Sequence, residues 1–141
     1  MKKQIGLYIA ILILLTWAVS LIYFLQRDLG ENPWLVPAGL LVLTFLYTGL
    51  FITAHDAIHG AILPGKHKWN AAIGAFCLFV YALFPYSKIR RNHFDHHRYP
   101  GSLKDPDYHD GLRRGFWSWY LHFLRGYITW WQILGMALIF N

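Results

Sequence analysis

Charged residues are scarce in this sequence, and their scarcity limits the kind of fold it can adopt. Only 14% of the 141 residues are charged and 56% are hydrophobic, whereas a typical soluble domain carries about 25% charged residues. Too few polar side chains are present to cover a soluble globule of this size, so a lipid bilayer is the expected surroundings. The length suits a single domain, residues 1–141, with a few membrane spans.

Cysteine and glutamate are almost missing, and this excludes two kinds of structure. The single cysteine, Cys77, lies in an apolar run. It can form no intrachain disulfide, and the chain has no set of thiolates for a metal. The only glutamate is Glu31, so the glutamate-rich di-iron site of soluble helical bundles is excluded as well.

Basic residues outnumber acidic ones and give the chain a formal charge of +6. In a membrane protein such an excess is typical of cytoplasmic loops and of contact with anionic headgroups. The basic residues flank apolar segments and do not form a soluble basic face, so we expect no nucleic-acid partner.

Two long apolar runs, at residues 7–26 and 34–54, each match the length of about 20 residues that a helix needs to cross the hydrocarbon. A turn at residues 30–33 joins them. A signal peptide is the alternative for the first run, but the run continues well past a possible cleavage site near Ser20. A shorter run at residues 126–140 follows an aromatic segment of the kind found at membrane interfaces, and it predicts a third span.

The distribution of lysine and arginine predicts the orientation. Lys2 and Lys3 precede the first span, only Arg27 lies between the spans, and seven basic residues lie between residues 87 and 115. The positive-inside rule then places the N-terminus and the long basic stretch in the cytoplasm. The apolar segment 70–86 begins and ends on that side and is too short to cross twice, so we expect an interfacial helix there.

The predicted fold class is therefore an all-α integral membrane protein. It has two to three transmembrane helices plus an interfacial helix.

Five histidines form two groups. His55 and His59 are four residues apart at the end of the second span; His93, His96 and His97 follow the interfacial segment. Both spacings place the imidazoles on one face of a helix. A single histidine near a membrane boundary is typical of an interfacial residue whose ring reaches solvent. Burying five imidazoles close together without a metal would cost considerable free energy. The pattern predicts a metal centre at the cytoplasmic ends of the spans, since neutral imidazole binds zinc, iron, copper and nickel.

The number of histidines bears on the identity of the metal. The stretch HDAIH has the spacing of the zinc-protease motif HExxH, with Asp56 in the position of the glutamate. Catalytic zinc normally takes three protein ligands, and the five histidines exceed that number. The surplus favours two irons, with a membrane zinc peptidase as the alternative.

Acidic residues beside the histidines are candidates for accepting imidazole N–H bonds and so fixing the ring tautomers. The alternative is that they are solvated carboxylates beside neighbouring arginines. His109 is either another such orienting group or an extra ligand. We predict no catalytic residue beyond the metal ligands. The acidic candidates are Asp56, Asp95, Asp105 and Asp107.

Two segments, HDAIHG at residues 55–60 and NHFDHHRYPGSLKDPDYH at residues 92–109, resemble the histidine-box oxygenases and desaturases of membranes. More narrowly, they resemble the β-carotene ketolases of bacteria and cyanobacteria. Fatty-acid desaturases, sterol oxidases and carotenoid hydroxylases share the boxes alone. The DPDYH spacing and the aromatic stretch at residues 116–133 favour the ketolases.

The resemblance implies 4-ketolation of β-carotene-type carotenoids by a di-iron centre that consumes O2. It also implies an electron donor such as ferredoxin and a location in a bacterial inner membrane or a cyanobacterial membrane. Members of the family carry a third box, HxxHH, which this sequence lacks. We therefore expect the N-terminal portion of a ketolase, completed by a C-terminal half. A fatty-acid desaturase or hydroxylase and a non-catalytic membrane fragment remain alternatives.

Overall fold

The structure is a computed structural model that describes residues 4–28, 30–109 and 115–139. Within these ranges the chain is helical and contains no strand, which confirms the predicted all-α class. It divides into two compact units, Met1–Tyr81 and Ala82–Asn141. The helices are α1 (Ile5–Leu25), α2 (Leu35–Ile58), α3 (His67–Ala82), α4 (Tyr86–Arg98), α5 (Phe116–Tyr127) and α6 (Trp130–Ile139).

Helices α1 and α2 are the two described helices that are long and apolar enough to cross a membrane. They have 21 and 24 residues, with mean hydropathies of 2.5 and 2.1. Large apolar side chains such as Leu12, Val19 and Phe45 lie exposed on their surfaces. A continuous apolar surface of this kind is stable against lipid and not against water. The chain is therefore a membrane protein, within the predicted range of two to three spans.

The remaining apolar segments differ in detail from the predicted boundaries. The segment 70–86 is divided, because α3 ends at Ala82 and α4 begins at Tyr86. The segment 126–140 contains the end of α5, a short break and α6, whose ten residues form a shorter apolar helix. The interfacial helix and the third span remain predictions.

In the first unit, small residues allow α1 to approach the end of α2 and the loop that follows it. A Cβ atom added to Gly6 would lie 2.7 Å from the backbone oxygen of Ala61. Ala10, Ala57 and Ile62 form the buried cluster at this contact. Close backbone approach at small residues is how membrane helices gain packing energy. The end of α2 is therefore held against the first turns of α1.

The loop between α2 and α3 is closed by one buried side chain, Asn70, which is 2% exposed. Its Oδ1 accepts the N–H of Leu63 at 3.1 Å, and its Nδ2 donates to the carbonyl oxygens of Leu63 at 2.6 Å and Lys66 at 3.0 Å. Gly60, with φ +75°, provides the left-handed residue that ends α2. The chain that follows the first histidine group therefore has a fixed path.

In the second unit, the start of α4 is tied to the aromatic helices. The Lys88 Nζ donates to the backbone oxygen of Tyr127 at 3.3 Å. The buried Gln132 side chain accepts the N–H of Thr129 at 2.9 Å and donates to the Ala82 oxygen at 3.4 Å. These bonds satisfy polar groups at the break between α5 and α6 and fix it beside the first turn of α4.

We expect the substitution Asn70→Leu to lower the free energy of unfolding by about 2 kcal/mol, because both backbone groups of Leu63 lose a hydrogen-bond partner while the branched shape of the side chain is kept. Titration with SDS in mixed micelles, followed by circular dichroism, measures this change. Lys68→Leu, at an exposed position of the same helix, is the matched control. Equal stability of the two variants would show that the loop does not depend on Asn70.

Candidate metal centre

The first histidine group lies at the end of α2. His55 is in the last turn of the helix and His59 is its C-terminal cap. Their ring centroids are 4.7 Å apart, so the spacing of four residues does bring the imidazoles together. The Nδ1 of His55 lies 3.1 Å from a carboxylate oxygen of Asp56. A carboxylate at this position favours a proton on Nδ1, which leaves Nε2 unprotonated and available to a metal.

The second group lies on the last two turns of α4. The rings of His93 and His97 are 4.5 Å apart at 86° to one another, and their two Nε2 atoms are separated by 3.1 Å. Two imidazole nitrogens that bind one ion at about 2.1 Å lie about 3.0–3.4 Å apart when the angle at the metal is octahedral or tetrahedral. The separation of these nitrogens therefore fits the binding of one ion by both rings.

His96 is held through its other ring nitrogen. Its Nδ1 lies 2.9 Å from an oxygen of Asp105 and 3.7 Å from an oxygen of Asp107. The Asp105 side chain is only 3% exposed, and its two oxygens also accept the backbone N–H groups of Gly101 and Asp107, both at 2.9 Å. This carboxylate is therefore saturated with donors, and it orients His96 in preference to binding an ion itself.

These bonds shift both pKa values. The hydrogen bond to Asp105 raises the pKa of His96 above its ordinary value, and it outweighs desolvation, which acts in the opposite direction. Burial alone would raise the pKa of Asp105, but the N–H groups of Asp107 and Gly101 and the His96 ring together hold it below its ordinary value. Both shifts favour an imidazolium–carboxylate pair in the metal-free chain.

The other predicted residues occupy different positions. Asp95 lies two residues after His93 and so faces the opposite side of α4. His109 is exposed at the end of the loop that follows α4. Their assigned roles remain predictions, whereas Asp56, Asp105 and Asp107 lie beside imidazole rings.

Tyr127 takes part in this network, and it was missed in the sequence. Its phenol donates a short hydrogen bond to Asp107 Oδ1. In the sequence it is one of the many aromatics of the stretch 116–133, and 20 residues separate it from Asp107. The sequence carries no local signal for a contact at such a distance.

The chain belongs to the fatty acid desaturase family, whose model matches residues 32–140. This match confirms the predicted resemblance to the desaturase-like membrane proteins. Together with the imidazole pairs, it indicates a metal site. No solved structure matches the chain.

Three relatives show which branch of the family the chain resembles. It is 43% identical over 72% of its length to beta-carotene 4-ketolase 3 of Haematococcus lacustris. It is 42% identical over 84% of its length to a beta-carotene ketolase of Paracoccus sp. strain PC1. It is 34% identical over 96% of its length to a zeaxanthin 4-ketolase of Chlamydomonas reinhardtii. The aligned region covers 32%, 48% and 33% of these proteins respectively, so the chain spans a third to a half of their length.

The pKa shifts predict how the pair of His96 and Asp105 responds to pH. A raised histidine pKa stabilises the fold below about pH 6.5, and this contribution is lost as the pH rises through the raised value. A lowered carboxyl pKa stabilises the fold above about pH 3.9, and this contribution is lost as the pH falls through the lowered value. We therefore expect the pair to stabilise the metal-free chain most between about pH 4 and about pH 6.5.

Nitrogen-15 NMR titration of the histidine rings in metal-free protein in micelles measures this effect. Asp105→Asn should lower the pKa of His96, because the charged acceptor is removed. Asp95→Asn, on the opposite side of α4, is the control and should leave the pKa of His96 unchanged. The expectation fails if both variants titrate like the unmodified chain.

Proposed function

We propose that this chain provides the first two histidine boxes of a membrane oxygenase that introduces a ketone at C4 of the β-ionone ring of β-carotene-type carotenoids. The observation that carries the proposal is the similarity, at 34–43% identity, to proteins named as carotene and zeaxanthin ketolases. The geometry of the imidazoles supports it, because they lie in pairs and the Nε2 atoms of His93 and His97 are 3.1 Å apart.

In this proposal all five histidines, His55, His59, His93, His96 and His97, are ligands of iron. Imidazole is a suitable ligand for iron, and the 3.1 Å separation of the His93 and His97 nitrogens fits a shared ion. A third box of the type HxxHH, which these 141 residues do not contain, supplies the remaining ligands. When bound, the two irons and O2 would supply the oxidising power needed to break the allylic C–H bonds at C4.

The protein's own groups orient and insulate the ligands. Asp56 and Asp105 accept Nδ1 protons, which fixes the tautomers of His55 and His96 and directs each Nε2 outward. The apolar surfaces of α1 and α2 contact the bilayer, from which a fully apolar carotenoid must approach. The histidine groups lie on the cytoplasmic side by the positive-inside rule, in a bacterial inner membrane or a cyanobacterial membrane.

The stoichiometry of the reaction requires an external reductant. Conversion of one ring methylene to a ketone consumes two molecules of oxygen, four electrons and four protons, and releases three molecules of water. The electrons come from a cytoplasmic donor such as ferredoxin. The excess of basic residues on the cytoplasmic segments favours an acidic donor.

Expression in cells that make β-carotene tests the proposal. The chain is produced alone and together with a ketolase C-terminal segment that carries HxxHH, and iron and carotenoids are measured in purified membranes. We expect two irons and ketocarotenoids in the combined sample only. His93→Ala should abolish both, because one of the paired nitrogens is lost, and His67→Ala, outside both boxes, should retain both.

A second candidate function follows from the family model itself, which describes a fatty acid desaturase. The same iron chemistry would then remove hydrogen from an acyl chain or hydroxylate it. Lipid analysis of the combined sample distinguishes the two, since an acyl product with unchanged carotenoids would replace the ketolase proposal. If neither sample contains iron or product, the chain is a non-catalytic membrane protein.

A further inference from the structure

Tyr127 is the point at which three parts of the second unit meet. It is the last residue of α5 and is partly buried. Its phenol donates to Asp107 Oδ1 in the loop and shares a hydrogen bond with the Asn92 side chain on α4. Its backbone oxygen accepts a bond from Lys88 Nζ at 3.3 Å. An aromatic residue that only anchored the chain in lipid would not need these polar contacts.

The contacts continue from Tyr127 to His96 through two carboxylates. Asp107 uses Oδ1 for the phenol, while its Oδ2 lies 3.7 Å from His96 Nδ1. The Asp107 N–H donates to Asp105 Oδ1 at 2.9 Å, and that same oxygen lies 2.9 Å from His96 Nδ1. The donor and acceptor atoms of His96, Asp105 and Asp107 lie within 4.8 Å of one another.

Two carboxylates beside one imidazole compete for its single Nδ1 proton. Asp105 holds that proton at hydrogen-bond distance, and Asp107 is less than 1 Å farther away, at 3.7 Å against 2.9 Å. A hydrogen bond from a neutral phenol occupies one oxygen of Asp107 and fixes the direction of the other. Without the phenol, Asp107 is free to rotate towards His96 and turn the ring away from the Asp105 acceptor.

We propose that Tyr127 is a positioning residue for the second histidine box: its phenol restrains Asp107 so that Asp105 alone accepts the Nδ1 proton of His96. His96 then directs Nε2 towards the metal in one orientation. This inference rests on the proposed role of His96 as an iron ligand. It assigns to the aromatic segment a function in metal binding in addition to its place at the membrane interface.

The test uses the full chain in micelles and compares Tyr127→Phe with Tyr120→Phe, a phenol removed from the same helix. Nitrogen-15 and proton shifts of the His96 Nδ1–H group, measured in metal-free protein at a pH where the ring is neutral, report the hydrogen-bond acceptor. Titration with Co²⁺, followed by its visible absorption, reports metal affinity. We expect Tyr127→Phe to shift the Nδ1–H signal of His96 and to weaken Co²⁺ binding about tenfold, while helix content stays the same and Tyr120→Phe behaves like the unmodified chain.

A double-mutant cycle shows whether the effect passes through Asp107. Asp107→Asn should change Co²⁺ binding little, because the competing carboxylate is removed, and adding Tyr127→Phe to it should change little more. A loss of Co²⁺ affinity in the double variant as large as in Tyr127→Phe alone, or an unchanged His96 Nδ1–H signal in Tyr127→Phe, would overturn the inference. If Tyr127→Phe loses helix content, Asp107→Asn alone carries the test: its His96 Nδ1–H signal should match that of the unmodified chain, because Asp105 remains the acceptor, and a changed signal would overturn the inference.

The same experiment separates this inference from the proposed function. A chain that binds no Co²⁺ but shows a shifted His96 Nδ1–H signal in Tyr127→Phe would keep the positioning role of Tyr127 and show that the second box binds no metal without the third box. A chain that binds Co²⁺ equally well with and without the phenol would keep the metal-binding role of the box and remove the positioning role of Tyr127.

Discussion

The hydrogen bond between His96 Nδ1 and the Asp105 carboxylate is the interaction on which the order of the second unit depends. An imidazole that gives one nitrogen to a metal must donate the proton on its other nitrogen. Asp105 meets that requirement from a position almost shielded from solvent, and it is itself satisfied by two backbone N–H groups. The His96 ring and the loop that follows α4 are thereby joined through one buried carboxylate, and Asp107 links the same loop to Tyr127, the last residue of α5.

In the first unit, the acceptor for the imidazole proton of His55 is a neighbouring residue in the sequence. Asp56 follows His55 directly in the chain and reaches it without a loop. The backbone that follows the histidines is fixed by other contacts. The Asn70 side chain is hydrogen-bonded to Leu63, and Gly6 allows a close approach of the backbone at Ala61. In each unit a carboxylate beside an imidazole and a fixed segment of backbone thus support the histidine group, as sites with precise geometry require.

Much of this architecture could be predicted, because the signals were long or periodic. An apolar run of about 20 residues gives a spanning helix almost regardless of its partners, and the predicted runs 7–26 and 34–54 became Ile5–Leu25 and Leu35–Ile58. The extension of α2 to Ile58 placed HDAIH at a helix end, as expected. Histidines three and four residues apart share a face by helix geometry alone.

The features that could not be predicted from the sequence depend on contacts between distant residues or on single backbone angles. The apolar segment 70–86 reads as one helix, yet Leu83 adopts a left-handed φ of 56° and α4 begins after Pro85. Hydropathy does not register such a change. Asp95 and Asp105 look equivalent in the sequence, and only the fold of the loop at 99–107 distinguishes the carboxylate beside an imidazole from the one across the helix.

That loop has a consequence for how its length can vary. Successive turns link Tyr99, Ser102 and Asp105 through backbone bonds of 3.1 and 3.0 Å, and Gly101 turns its N–H towards Asp105 with a left-handed φ of 69°. Adding or removing one residue would carry the carboxylate out of reach of both the glycine and the histidine. These hydrogen bonds therefore fix the spacing between the second histidine box and its aspartates. The loop should tolerate insertions less well than other exposed loops.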